Sequence, residues 1–169
     1  MNKWDKRFID LAYFISHWSK DPSTQAGAVI TDQKNRLISL GFNGFPRGCD
    51  DSPEKYADRD IKLLRVQHAE RNAILFANRD LTNCTIYVVP MPPCPQCAGM
   101  IIQAGISRVV TIHMTDDQYL RWGEQVEESW KMFHESGVKM ECILVDDIAS
   151  EQVKEDAPKV GGIYLKEQK

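Results

Sequence analysis

Apolar residues at Phe8, Leu11, Ala12, Ile15 and Trp18 repeat at the spacing of one helix face, so the chain is predicted to open with an amphipathic helix. The run stops at Lys20-Asp21-Pro22-Ser23-Thr24, where Pro22 biases Asp21 away from helical angles. Ala26 to Thr31 is a short apolar strand, Asp32-Gln33-Lys34-Asn35 a polar turn, and Leu37 to Phe42 the returning half of a hairpin. The next segment, Asn43 to about Asp58, is rich in Gly, Pro and Asp and reads as a loop. It is long for a mere connection, and long ordered loops in compact domains tend to carry function. Beyond it the pattern predicts a helix over 68–77, a strand over 85–89, and a helix over 94–104 ended by Gly105. A strand over 108–112, a helix over 119–136 closed by Gly137 and a strand over 139–145 complete the series.

From the second strand onward strands and helices alternate, which favours an α/β fold: a mixed five-stranded sheet with helices on both faces. Residues 1–145 read as one domain. Residues 146–169 mix charges with Pro158 and Gly161-Gly162 and show no period, so they read as a tail or a strand-like arm.

Composition narrows the function more than the fold. With 21 basic and 24 acidic side chains the net charge is −3, which argues against a domain that grips a long nucleic acid by its phosphates. A single small phosphorylated ligand needs only a local cationic cluster. No stretch approaches the ~18 uninterrupted apolar residues of a membrane span, and the charged start MNKWDKRFID lacks a signal-peptide core. The chain is therefore expected in the cytoplasm. Five cysteines, an odd number, do not suggest a disulfide framework, and in a reducing compartment clustered cysteines point to metal or catalysis.

Two segments carry such chemistry: His68-Ala69-Glu70 and Pro93-Cys94-Pro95-Gln96-Cys97. Each opens a predicted helix, where backbone N–H groups and the helix dipole favour thiolate, the form that binds zinc. Cysteines three apart share one helix face, so both sulfurs can reach one ion. One His nitrogen then makes three protein ligands and leaves a fourth position open, the arrangement of a catalytic site. Glu70 need not bind the metal and is placed to move protons. The joint pattern H-x-E…P-C-x-x-C is the signature of zinc deaminases. A C-x-x-C alone would also suit a redox pair or a structural zinc, for which Cys49, Cys84 and Cys142 are the candidate fourth ligands.

On these residues the chain resembles the deoxycytidylate (dCMP) deaminases of the cytidine deaminase superfamily. The resemblance extends to S-K-D-P-S-T-Q-A-G-A-V at 19–29, similar to the family's S-K-D-P-x-T-x-V-G-A. It also includes G-F-N-G-F-P-R-G at 41–48, similar to G-Y-N-G-x-P-x-G. It implies a three-layer α/β/α sandwich and hydrolysis of dCMP to dUMP and ammonia, supplying dUMP for thymidylate synthesis. His68, Cys94 and Cys97 would be the zinc ligands, and zinc-activated water would attack the ring carbon bearing the amine, with Glu70 as proton shuttle. Asn43 would contact the sugar, and Ala69 the substrate. For the phosphate, Lys20 with Ser19 and Thr24 is the first expectation and Arg47 the second. Tyr119 and Trp122 could close over a base, although such aromatics are more often core. Family members form dimers to hexamers, so a homo-oligomer is expected.

Two departures matter. The segment between Cys49 and Arg65 is short and without histidine, so the second, structural zinc of some relatives is not expected. Phe42 stands where the family often has tyrosine in its nucleotide-effector segment. The competing readings are another nucleoside, nucleotide or tRNA deaminase of the same superfamily, and a zinc-stabilised binding module without turnover.

Overall fold

The computed structural model describes residues 2–144; the expected tail at 146–169 lies outside them. The first helix, α1 (Lys3–Ser16), starts earlier than the apolar run suggests, because Asn2 and Asp5 form a reciprocal capping box. Strands β1 (Gly27–Thr31) and β2 (Leu37–Phe42) form the hairpin. Part of the segment expected as loop folds into a short helix, α2 (Pro53–Ala57), and a second, α3 (Arg59–Arg65), fills the stretch after it that carried no assignment. No residue of α3 is buried, so it offers no apolar period from which to read it. There follow α4 (Ala69–Ala77), β3 (Thr85–Val89), α5 (Pro95–Gln103), β4 (Arg108–Ile112), α6 (Asp116–Ser136) and β5 (Lys139–Ile143). The long helix α6 also begins before the predicted Tyr119, at a second capping box made by Thr115 and Gln118.

The sheet order is β2-β1-β3-β4-β5, with β1 antiparallel to both neighbours and β3, β4 and β5 parallel. It is the expected mixed five-stranded sheet. Successive side chains alternate between two apolar layers. Val29, Tyr87, Val89, Val110 and Ile112 pack with Phe8, Ile9 and Ala12 of α1. Ile30, Ile86, Val88 and Val109 pack against Ala69 and Ala73 of α4, Ile101 of α5 and Phe133 of α6. Both faces are thus covered, which explains why the strands read as continuous apolar runs. At Gly27 a Cβ would lie 2.0 Å from the Ala12 carbonyl oxygen, so α1 and β1 approach as closely as backbone allows.

One polar network crosses this apolar frame. Arg108 on β4 donates to both carboxylate oxygens of Asp5 on α1, at 2.7 and 3.0 Å, and to Glu141 on β5 at 2.7 Å. The Tyr87 hydroxyl also donates to Asp5, at 3.0 Å. Burial alone would raise the Asp5 pKa, but Arg108, the Asn2 amide and Tyr87 together hold it below the ordinary carboxylate range. Its stabilising contribution is therefore complete above the unfolded value of about 3.9 and is lost as pH falls through the lower folded value. Replacing Arg108 by Met leaves the buried Asp5 carboxylate without its cation, while Glu141 keeps Lys139, and should cost about 3 kcal/mol at pH 7 by urea denaturation. In parallel, the stability gap between wild type and Asp5→Asn should narrow as pH falls below about 4.

Candidate metal centre

Helices α4 and α5 follow β2 and β3, which run in the same direction on either side of β1. Both helix N-termini thus lie at the carboxyl ends of their strands, where α/β folds place ligands. His68 is the N-cap of α4 and Cys94 the N-cap of α5, each in extended backbone, with Pro95 starting the α5 helix. Cys97 sits one turn in and is fully buried. At Gly41 on β2 a Cβ would lie 2.5 Å from both the Ala69 carbonyl oxygen and the Ala73 nitrogen. Glycine there lets the first turn of α4 settle on the sheet. The Ser39 hydroxyl donates to the Ala73 carbonyl, the Asn72 amide donates to the Phe42 carbonyl, and Arg71 binds Gln96 across the two helices.

The result is a cluster in which the donor atoms of His68, Cys94 and Cys97 all lie within 4.8 Å of one another. His68 Nδ1 is 3.6 Å from Cys94 Sγ and 3.4 Å from Cys97 Sγ. A tetrahedral zinc with ordinary Zn–S and Zn–N bonds places sulfur and nitrogen about 3.6 Å apart, so the donors fit zinc in type and spacing. Among the described residues no other His, Cys, Asp or Glu joins the group: Cys49 is exposed, Cys84 is buried at the start of β3, and Cys142 lies on β5. Three protein donors leave the fourth position to water or substrate.

The electrostatics suit a metal. Hydrogen bonding with Cys97 and then with His68 brings the Cys94 thiol down to about 4, against the opposing effect of burial. The hydrogen bond with Cys94 and burial push the Cys97 thiol up, and the same Cys94 contact raises His68. Zinc takes thiolates and neutral imidazole, so binding it displaces the protons that these three groups hold. Glu70, buried in the first turn of α4, has its pKa raised chiefly by that burial. Burial thus favours the protonated carboxyl more than in a free glutamate.

The other expected site residues fall in different places. Asn43 is buried; its side-chain oxygen accepts from the Ala26 amide at 2.7 Å, and its amide donates to the Thr24 carbonyl at 2.9 Å. It thereby joins the two motifs at 19–29 and 41–48. Ala69 is fully buried in the core, so only its backbone faces the first turn of α4. Ser19 is buried and accepts from the Asp21 amide. Lys20 is exposed and ion-paired with Asp51 at 2.7 Å, and the Arg47 guanidinium lies over the Phe76 ring. Tyr119 and Trp122 pack against Met114 and Val126.

Asp21 escaped the sequence reading as a functional position. Its buried carboxylate accepts from the Ser23 amide and hydroxyl, the Thr24 amide and Lys62 of α3, and so shapes the loop that Asn43 holds. An Asp-Pro-Ser-Thr run is the local signal for such a turn. A cleft of about 270 Å³ beside this loop is lined by Tyr13, Thr24, Met91, Gln118, Arg121 and Trp122, among others.

The chain matches the family model of the cytidine and deoxycytidylate deaminase zinc-binding region over residues 2–113. It is 50% identical over 146 residues to an "uncharacterized deaminase in luxG 3'region" of Aliivibrio fischeri, covering 86% of this chain and 97% of that protein. Against a probable deoxycytidylate deaminase of Caenorhabditis elegans it is 38% identical over 137 residues, covering 79% and 69% of the two chains. In fold it is similar to the crystal structure of the dCMP deaminase from cyanophage S-TIM5 in complex with dCMP and dUMP. That likeness has a TM-score of 0.65 at 20% identity and covers 85% of this chain and 99% of the other. Since the match takes in the whole sheet up to β4 and all three metal donors, the chain belongs to the cytidine and deoxycytidylate deaminases and holds zinc between α4 and α5.

Proposed function

We propose that this protein hydrolyses dCMP to dUMP and ammonia in the cytoplasm, furnishing dUMP for thymidylate synthesis. The observation that carries the reading is Glu70, buried beside a three-donor zinc centre whose fourth position is open. The dCMP deaminases among its relatives, and the junction that Asn43 makes between the two motifs of the nucleotide branch, favour a deoxycytidine nucleotide over a larger substrate. The acidic balance of the chain also weighs against tRNA. Among the described residues no helix is long and apolar enough to cross a membrane.

Zinc, when bound, supplies the Lewis acidity that makes water nucleophilic at neutral pH. His68, Cys94 and Cys97 hold the metal. Glu70 takes one proton of the attacking water to the pyrimidine ring nitrogen and then carries the second, from the hydroxyl so added, to the departing amine, so that water and dCMP leave as dUMP and ammonia. Asn43, just after β2, holds the 24–26 segment through the Ala26 amide and the Thr24 carbonyl, which supports a role for it in shaping the sugar end of the site.

Elemental analysis should find about one zinc per chain in wild type and in Glu70→Gln, and far less in Cys97→Ser. Glu70→Gln should lose about 10²–10⁴ in kcat while keeping its metal, a separation that a purely structural zinc would not produce. Side-by-side assays with dCMP and deoxycytidine should give a strong preference for dCMP. Equal turnover of the two would retain the zinc chemistry and remove the nucleotide assignment.

We also infer a homo-oligomer. Phe14 and Trp18 of α1 and Leu75 and Phe76 of α4 are all about half exposed or more. They bracket the edge strand β2 from opposite sides of the sheet, and Trp18 meets Phe42 edge-on. Apolar groups gathered around an unpaired sheet edge suit burial against a second copy. Light scattering should give a multiple of the 19.3 kDa chain mass; a mass equal to it would remove the inference.

A further inference from the structure

Helix α3 adds nothing to the core: none of its residues is buried, and Leu63 and Leu64 are half exposed or more. Its Lys62 nevertheless turns inward, with only 16% of the side chain exposed. The ammonium donates to Asp21 Oδ1 at 3.2 Å and to the Ser23 hydroxyl, an ion pair that spans 41 positions of sequence. The Asp21 side chain is more enclosed still, at 5% exposed. The same Oδ1 accepts from the Ser23 amide and hydroxyl, each at 2.9 Å, and from the Thr24 amide at 3.1 Å. Four donors meet on one oxygen, and Lys62 is the cation among them.

The pair bears on the site through Asn43. The chain between α1 and β1 forms neither helix nor strand, so side-chain contacts set its path. Thr24 is gripped twice: Asp21 takes its amide, and Asn43 donates to its carbonyl. Next to Asn43, Gly44 and Gln67 exchange two backbone hydrogen bonds, of 3.1 and 2.8 Å, beside His68. Helix α3 runs through Val66 into that same Gln67 and His68. The contacts therefore close a ring, from Lys62 through Asp21, Thr24, Asn43, Gly44 and Gln67 back to α3, and Lys62–Asp21 is its charged link.

A second ion pair, Lys20–Asp51, joins the same two stretches of chain, but both side chains are well exposed and such a pair contributes little. An enclosed pair behaves differently. Without its cation, a carboxylate so buried stays charged only by turning out to water. In doing so it abandons the Ser23 and Thr24 amides, and the Thr24 carbonyl shifts away from Asn43.

We propose that Lys62 is a positioning residue for the deamination, acting through Asp21 to hold residues 23–26 against Asn43. The proposal rests on the dCMP reading given above. Lys62 touches neither metal nor substrate. It fixes where the sugar end of the site stands, so its loss weakens substrate binding and leaves the proton transfers of Glu70 intact.

The test compares zinc-loaded wild type with Lys62→Met, Lys62→Arg, Asp21→Asn and the double variant Lys62→Met/Asp21→Asn, in dCMP turnover and zinc content. Lys62→Met should raise KM for dCMP about tenfold, within what an ångström of misplacement costs, with kcat within about threefold and zinc still about one per chain. Lys62→Arg keeps charge and reach and should return KM to within about threefold of wild type. Asp21→Asn should resemble Lys62→Met. The double variant should exceed the worse single variant by no more than about twofold, because both substitutions cut one link. Lys62→Met should fold, since α3 buries nothing; if it does not, Lys62→Gln, which keeps a donor for Ser23, is read in its place. A wild-type KM in Lys62→Met would overturn the proposal. So would a loss carried by kcat or by zinc, or losses that multiply in the double variant, which would put Lys62 on the substrate itself. Wild-type protein that does not deaminate dCMP would overturn the reading of function, an outcome seen before any variant is made.

Discussion

With a Cβ at Gly41 only 2.5 Å from two backbone atoms of α4, the first turn of that helix can rest where it does only because β2 carries no side chain there. The contact sets the height of α4 above the sheet and hence the position of its N-cap, His68. Helix α5 brings Cys94 and Cys97 to the same point from β3, and the Arg71–Gln96 contact keeps the two helix starts together. Coordination tolerates errors of only a few tenths of an ångström in donor spacing. A spacing of 3.4–3.6 Å between the His68 nitrogen and two sulfurs is therefore the product of backbone packing, with the ligands themselves supplying only the chemistry.

The metal centre was legible in the sequence because its information is local. His68-x-Glu70 and Cys94-x-x-Cys97 each occupy a single helix start, so helix geometry decides which side chains within each half share a face. The central strands β1, β3 and β4 were legible for a similar reason, being short and buried almost throughout. Helices α2 and α3 were not. Gly, Pro and Asp dominate their approach, and α3 buries nothing that could impose a period. The true starts of α1 and α6 depend on capping boxes that lie outside the apolar stripe.

What the sequence hides most thoroughly are contacts between distant positions. Asp21 looks like a turn residue, yet it is also the anchor for Lys62, 41 positions away. Asn43 reads as a substrate contact, and its two amide atoms turn out to knit the 24–26 segment to β2. Lys20 and Arg47 drew attention as cations close to the motifs, but charge says nothing about direction: one faces Asp51, the other lies on Phe76. The cation that lines the cleft, Arg121, sits in a helix with no motif around it.

The bond between Asp5 and Arg108 has a consequence for how the chain is made. The two residues are 103 positions apart, and both ligating cysteines lie between them. On the ribosome the carboxylate emerges long before its guanidinium, so α1 waits with an unpaired acid while β1, β2 and β3 are still being added. The guanidinium that completes this network reaches Asp5 only once β4 has left the exit tunnel, and Cys94 and Cys97, which precede Arg108, have left it by then. The network thus ties the beginning of the domain to nearly its end.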